Sequence, residues 1–285
     1  MTALRLFILT LLAMVAFASN SLLCRLALKH TSIDAATFTF IRIFSGAVVL
    51  LAIVRMRSGA HRAPLQGNWP SALALFAYAA AFSFAYINLS AATGALLLFG
   101  AVQATMILWG LRKGEPLRLR QLFGLLVALA GLIALLLPGL SAPPLGSAIL
   151  MLAAGIAWGI YSLRGRGTSN AISATAGNFL RAVPFAAVLS ITLLAWMHLD
   201  RAGIAYAVLS GGIASGVGYV IWYTALPGLK AASAATVQLS VPVLAAAGGI
   251  VLLGEPPTLR FLLASIAVLG GIALVVMSPR RIANG

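Results

Sequence analysis

The sequence predicts an all-α integral membrane protein of ten transmembrane helices, arranged as two inverted five-helix repeats. Three observations carry this. Hydrophobic residues make up 62% of the 285 and charged residues only 8%, against about a quarter charged in soluble domains. No soluble core hides that much apolar surface, so lipid must cover it. The apolar residues also fall into runs of about 20, enough to cross a bilayer as helix and too long for tilted barrel strands. Finally, the chain repeats itself at a spacing near 140 residues.

The expected spans are 4–24, 35–54, 70–89, 92–111, 119–137, 145–163, 172–196, 203–225, 231–252 and 258–277. The first has features of a signal peptide, with an early Arg5 and the triplet Ala16-Phe17-Ala18 resembling a cleavage site. Its apolar run continues to Leu23 and recurs inside the chain, so it reads as a retained span. The third and fourth spans meet between Asn88 and Thr93, where no charge marks the turn. The fourth carries Gln103 in mid-run and ends at Gly114-Glu115-Pro116; the ninth ends the same way, at Gly254-Glu255-Pro256. Proline cannot continue a helix and biases its predecessor away from helical geometry, so both triplets read as stops. Little of the chain is left for a soluble catalytic domain.

Net charge is +15. The cations lie in short loops rather than on one face interleaved with aromatics, which argues for membrane orientation and against nucleic-acid binding. With the N-terminus inside, Arg5, Arg55, Arg57, Arg62, Arg112, Lys113, Arg118, Arg120, Arg164, Arg166, Lys230, Arg280 and Arg281 fall on the cytoplasmic side. Only Arg25, Lys29, Arg201 and Arg260 fall outside, while Arg42 and Arg181 sit within span ends. This asymmetry predicts both termini in the cytoplasm, in a multi-pass protein of the inner (plasma) membrane. Trp69, Trp109, Trp196 and Trp222 are expected near span ends, where indole is favoured, and Trp158 deeper. Cys24 is the only cysteine, so no intramolecular disulfide forms.

The repeat is carried by three ordered matches. Leu11–Arg25 (LLAMVAFASNSLLCR) and Leu152–Arg166 (LAAGIAWGIYSLRGR) share Leu, Ala, Ala, Ser, Leu and Arg at a spacing of 141. Phe40-Ile41-Arg42 matches Phe179-Leu180-Arg181 at 139, and the Gly-Glu-Pro triplets are 140 apart, each followed by an apolar run with a glycine, Gly131 or Gly271. The halves are therefore 1–140 and 141–285. Five spans is an odd number, so the second half enters the membrane in the opposite sense, with Glu115 cytoplasmic and Glu255 exterior. Inverted repeats of this kind open a central site to each side in turn, as in secondary transporters.

At this point the residues resemble a known family. The run Tyr223-Thr-Ala-Leu226, the small cluster Ala231–Ala235, Val241-Pro242 and Leu253-Gly254-Glu255 is similar to the second-half pattern of EamA-type members of the drug/metabolite transporter superfamily. The first half departs from it, with Val102-Gln103 where a mid-helix proline is expected. The resemblance implies a ten-helix transporter of small metabolites with a central cavity between halves. Among subfamilies it looks most like YddG-type aromatic amino acid exporters. Translocators of lipid-linked or nucleotide-sugar substrates form the alternative within transport, and a non-transporting membrane scaffold the alternative outside it.

Polar side chains inside spans are expensive in lipid and usually face the bundle interior or a wet cavity. Gln103 lies twelve residues before Glu115, about 18 Å along a helix, hence near the midplane; Gln238, seventeen before Glu255, is also well inside. An amide both donates and accepts, which suits a zwitterion; the plain alternative is an interhelical hydrogen bond. Asn20 and Ser21 have Tyr161 and Ser162 as repeat partners, so all fit a site at the repeat interface, local capping being the alternative. Tyr78 and Trp158 are deep aromatics suited to stacking on a planar or apolar substrate group, while Tyr86, Tyr219 and Tyr223 read as packing residues. The substrate-binding set is thus Gln103, Gln238, Tyr78, Trp158, Asn20, Tyr161 and Ser21. Arg42 and Arg181 read equally well as carboxylate attractors or as cations reaching to headgroups. Pro242 reads as a mid-helix flexible point beside Ser240, and Gly155/Gly159 and Gly212/Gly216 as sites of close helix approach.

The acids Asp34, Glu115, Asp200 and Glu255 and the histidines His30, His61 and His198 all fall in loops or span ends. No proton relay, metal cluster or nucleophile–base pair is evident, so the expectation is a non-enzyme without cofactor or metal. Its partners are a small-molecule substrate and membrane lipid, as monomer or homodimer.

Overall fold

The computed structural model describes residues 2–58, 65–114, 119–137, 142–165, 168–229 and 237–276. Within them lie ten helical segments: α1 (Ala3–His30), α2 (Ala35–Ser58), α3 (Trp69–Tyr86), α4 (Ala91–Arg112), α5 (Leu119–Leu136), α6 (Leu145–Gly165), α7 (Ala171–Thr192), α8 (Arg201–Gly228), α9 (Ser240–Leu253) and α10 (Leu259–Val276). Seven are long and apolar enough to cross a membrane; Leu119–Leu135, Ser240–Leu253 and Leu259–Leu274 are shorter apolar stretches. Glu115 and Pro116, Arg166, and the small cluster 231–235 lie outside the described residues.

Short polar side chains start these helices by accepting orphan backbone N–H groups. Asp34 accepts from Thr37, Asn68 from Ser71, Ser90 from Thr93, Asn170 from Ser173, Asp200 from Gly203 and Thr258 from Phe261. At the other end, Gly114 (φ 82°) and Gly254 (φ 62°) take the left-handed conformation that stops a helix without a Cβ clash. The glycines of both Gly-Glu-Pro triplets therefore do the same local job.

Packing follows the repeat. Exchanging the halves maps α1–α5 onto α6–α10, and the contacts obey that exchange. α2 packs on α7, α4 on α9 and α5 on α10; α3 on α6 is matched by α1 on α8, α4 on α6 by α1 on α9, and α3 on α7 by α2 on α8. Gly131 of α5 lies against Ala264 and Ala267, and its repeat mate Gly271 of α10 lies against Gly124 and Ala128. Gly155 and Gly159 let α6 approach Leu98, Ala101 and Thr105 of α4, and Gly212 and Gly216 face Val49 of α2.

The ends sort onto two faces. On one, Arg25 at the end of α1 reaches the carbonyls of Tyr86 and Ile87, Asn88 donates to Ser147 at the start of α6, and Asp34 joins His198 before α8. On the other, Gln66 and Asn68 before α3 meet Ser173 and Asn178 of α7, and Arg164 at the end of α6 meets Ser71. α1 thus runs towards the Arg25 face and α6 away from it, so repeat-related helices are antiparallel. Large apolar side chains remain exposed around the outside, among them Phe7, Leu119, Phe123, Val251 and Ile266. Trp69, Trp109 and Trp196 are exposed near helix ends. Trp222, also towards a helix end, is buried against Phe17 of α1.

Candidate functional site

A small cavity lies where the halves meet, lined by Phe17, Asn20 and Ser21 of α1, Tyr78 and Phe82 of α3, Leu98 and Phe99 of α4, Trp158 of α6, Tyr219 of α8 and Gln238 before α9. At about 20 Å³ it admits little more than one water. Five of the seven predicted residues, Asn20, Ser21, Tyr78, Trp158 and Gln238, stand on its wall. Two do not. Gln103 is buried one turn along α4 from Phe99 and off the cavity wall. Tyr161 lies behind Trp158, its ring stacked at 5.3 Å, with Asn178 donating to its hydroxyl at 3.5 Å. It positions the indole rather than facing the space.

The wall is mainly aromatic. Trp158 stacks on Tyr219 at 5.4 Å on one side and leans on Tyr78 at 4.9 Å; Tyr78 meets Phe82 at 5.4 Å, and Phe82 meets Tyr86 edge-on at 4.7 Å. Phe17 extends the row, edge-on to Tyr219. Tyr219 was expected to be mere packing, and Phe17 and Phe82 carried no sequence expectation. The repeat itself holds the signal for two of them. Phe17 is the mate of Trp158 and Tyr219 the mate of Tyr78, each 141 residues apart, so both halves contribute one ring from equivalent positions.

The polar part of the wall depends on an irregular helix. α8 contains a π-helical stretch, Leu209–Val217, of sequence LSGGIASGV. The wider turn brings residues five apart onto one side, so Ser210 and Ser215 both donate to Asn20 Oδ1, at 2.8 and 3.1 Å. All three side chains are buried. Glycine permits this: a Cβ at Gly211 would run into the Arg42 carbonyl and the Ser45 hydroxyl of α2.

Arg42 is the main correction to the sequence reading. It is buried (2% exposed) eight residues into α2 rather than reaching to headgroups. Its guanidinium lies 4.7 Å from the Phe82 ring centre and 5.3 Å from that of Tyr78, and Nη2 donates to the Tyr78 hydroxyl at 2.9 Å. Its repeat mate Arg181 instead reaches the backbone carbonyls of Gln66 and Gly177. Pro242 stands near the start of the described part of α9, where Ser240 donates to the Val237 carbonyl at 2.7 Å.

Above the cavity, towards the Arg25 face, is a vestibule of about 350 Å³ bordered by Arg25, Lys29, Ser90, Glu255 and Phe261. Ser21 and Arg25 are one turn apart on the same side of α1, so one lines the cavity and the other the vestibule. Between them is an ion pair joining the halves: Arg25 Nε donates to Glu255 Oε1 at 3.2 Å, the side chains being 12% and 9% exposed. Arg25 also caps the end of α3 through the Tyr86 and Ile87 carbonyls, while Glu255 Oε2 accepts the Ala91 amide of α4 at 2.8 Å. The turn between α3 and α4, uncharged in sequence, is thus held by charges from α1 and the second half. Glu255, expected in a loop, is a buried ion-pair partner.

A helical membrane bundle built from two antiparallel repeats around a small central cavity defines the class. The chain belongs to the EamA-like transporter family, whose model matches it twice, over residues 4–137 and 145–277. It is 58% identical to an uncharacterized protein of Pseudomonas aeruginosa over 276 residues, covering 97% of this chain and 96% of the other. It is 25% identical to an uncharacterized transporter of Archaeoglobus fulgidus, covering 95% and 96%. A solved crystal structure at 18% identity superposes with a TM-score of 0.67 over 99% of this chain and all of the other, a likeness of fold. The protein is a multi-pass membrane protein of a transporter family.

Proposed function

We propose that the protein is a secondary transporter of the inner membrane, with both termini cytoplasmic, that exports small metabolites by alternating access. In this reading all ten helices span, and the repeats divide near residue 140. Amino acids, aromatic ones above all, are the substrates favoured. The carrying observation is the aromatic cavity whose wall is drawn from both halves, with rings at repeat-equivalent positions and an inter-halves ion pair between it and the vestibule. Rings of this kind stack on a planar or apolar body, and a site at the repeat interface is where rocking of one half against the other changes access. The near-absence of free volume corresponds to an occluded state.

The test is flux. Purified protein in liposomes should accelerate counterflow of labelled aromatic amino acids above that of small polar ones. Trp158→Ala should lower it at least tenfold, and Gln103→Ala less, since that amide stands off the wall. Absence of flux across a broad amino acid panel overturns the reading.

A further inference from the structure

Arg42 carries a positive charge into the apolar interior, and among the described residues no anion meets it. Its Nη1 is buried without a hydrogen-bond partner, and Nη2 has only the Tyr78 hydroxyl. Among the described residues the sole salt bridge is Arg25–Glu255. The other described acids are engaged elsewhere, Asp34 with Thr37 and His198, and Asp200 with Gly203. Charges inside a membrane protein pair with one another, face a wet cavity or mark a substrate path. Arg181 offers an internal comparison: the same residue at the repeat-equivalent position is satisfied by two backbone carbonyls. Packing alone therefore does not demand an unsatisfied guanidinium.

The geometry connects that charge to the cavity. Arg42 donates to the Tyr78 oxygen, which leaves the phenolic proton to be donated in turn, and no described group accepts it. Tyr78 and Phe82, the two rings against which the guanidinium lies, are both on the cavity wall. A phenol hydrogen-bonded to a cation is a stronger donor than a free one, and charge-assisted bonds to carboxylates are short and strong.

Building on the transport reading of the same site, we infer that Arg42 and Tyr78 form the subsite for the anionic group of the solute, which carries a carboxylate attached to an apolar or planar body. The body stacks on the Trp158 and Tyr219 rings, the carboxylate accepts from Tyr78, and Arg42 behind it supplies the countercharge. Neutral analogues of the same shape leave that charge unmet and bind weakly.

The test is equilibrium binding to the purified full-length protein, followed by tryptophan fluorescence. The probes are matched pairs: phenylalanine against phenylalaninamide, and 3-phenylpropionate against 3-phenylpropionamide. The wild type should prefer each carboxylate over its amide by tenfold or more. Arg42→Gln should bring the ratio close to one, Arg42→Lys should retain part of it, and Tyr78→Phe should reduce it several-fold; Arg181→Gln should keep it. A purely structural Arg42 would lower stability and leave the ratio untouched. Equal binding of acid and amide by the wild type, no binding of any carboxylate probe, or a ratio preserved in Arg42→Gln would overturn the assignment. If Arg42→Gln does not fold, the wild-type ratio and Tyr78→Phe decide. Preference without flux in liposomes would sink the transport reading and spare this one; flux indifferent to the carboxylate would do the reverse.

Discussion

Asn20 shows how much one buried side chain can organise. Its carboxamide oxygen is the shared acceptor for Ser210 and Ser215, so Asn20→Ala strands two buried hydroxyls. At about 1–3 kcal/mol for an unsatisfied group, the variant should unfold at lower denaturant. Removing both serines in the Asn20→Ala background should cost little more; additive losses would show that the three do not act as a unit. At the aqueous edge, Asp34 offers a pH reading. Partial burial raises its pKa, but the bonds from the side chain and backbone of Thr37 and from the amides of His198 and Ala36 outweigh burial, and the carboxyl is held below its ordinary value. A carboxylate with a lowered folded-state pKa stabilises fully above its unfolded value of about 3.9, and the contribution vanishes as pH falls through the folded value. Acidification below about pH 4 should therefore loosen the tie between the α1–α2 and α7–α8 connections, seen as faster backbone exchange at His198. Asp34→Asn should flatten that dependence.

At the scale of elements, small residues decide which helices meet. Gly177 of α7 lies where a Cβ would enter the Gln66 carbonyl, and Gly211 of α8 does the same against Arg42. These are backbone neighbours and cannot turn aside. Gly177→Ala and Gly211→Ala should each destabilise by about 1–3 kcal/mol, the ordinary cost of overpacking, and Gly211→Ala should also weaken solute binding, because α8 carries Tyr219 and the serines that hold Asn20. Gly146→Ala, with open space around its Cβ position, should be neutral in the same unfolding assay. Much of this level was legible: all ten segments were expected, and small-residue spacing marked the close crossings on α6 and α8. The π-helical turn was not: in sequence LSGGIASGV reads as ordinary helix with glycines at close-approach spacing.

For the whole molecule, the Arg25–Glu255 pair is the contact with the widest reach. It joins the first half to the second and sits between vestibule and cavity. Breaking a buried pair from one side costs about 3–5 kcal/mol, here charged against the closed state of this face. In a Cys24→Ser, Ser21→Cys background, adding Glu255→Gln should raise labelling by an impermeant thiol reagent from the Arg25 face at least tenfold. An unchanged rate would mean that the aromatic packing of Phe82 and Tyr86 holds the face shut alone. The same experiment reads orientation, since export with cytoplasmic termini puts that face outside.

The membrane class, the helices, the antiparallel halves and five of the ten wall residues could be read from hydropathy, loop charge and spacing, because each is a local or periodic property of the chain. Residue-level accuracy stopped where long-range contact begins. Gln103 and Gln238 are both amides deep in apolar runs, yet only Gln238 reaches the wall, since rotation of a helix about its axis is set by its neighbours. Arg42 and Arg181 are repeat mates in matching tripeptides, yet one reaches nearby carbonyls and the other is buried beneath two rings with Nη1 unpaired among the described residues. Sequence determined that this chain folds as two opposed halves in a bilayer. Tertiary structure decided which of its few polar groups are left facing the space between them, because satisfaction of a buried charge depends on partners that sequence spacing does not bring together.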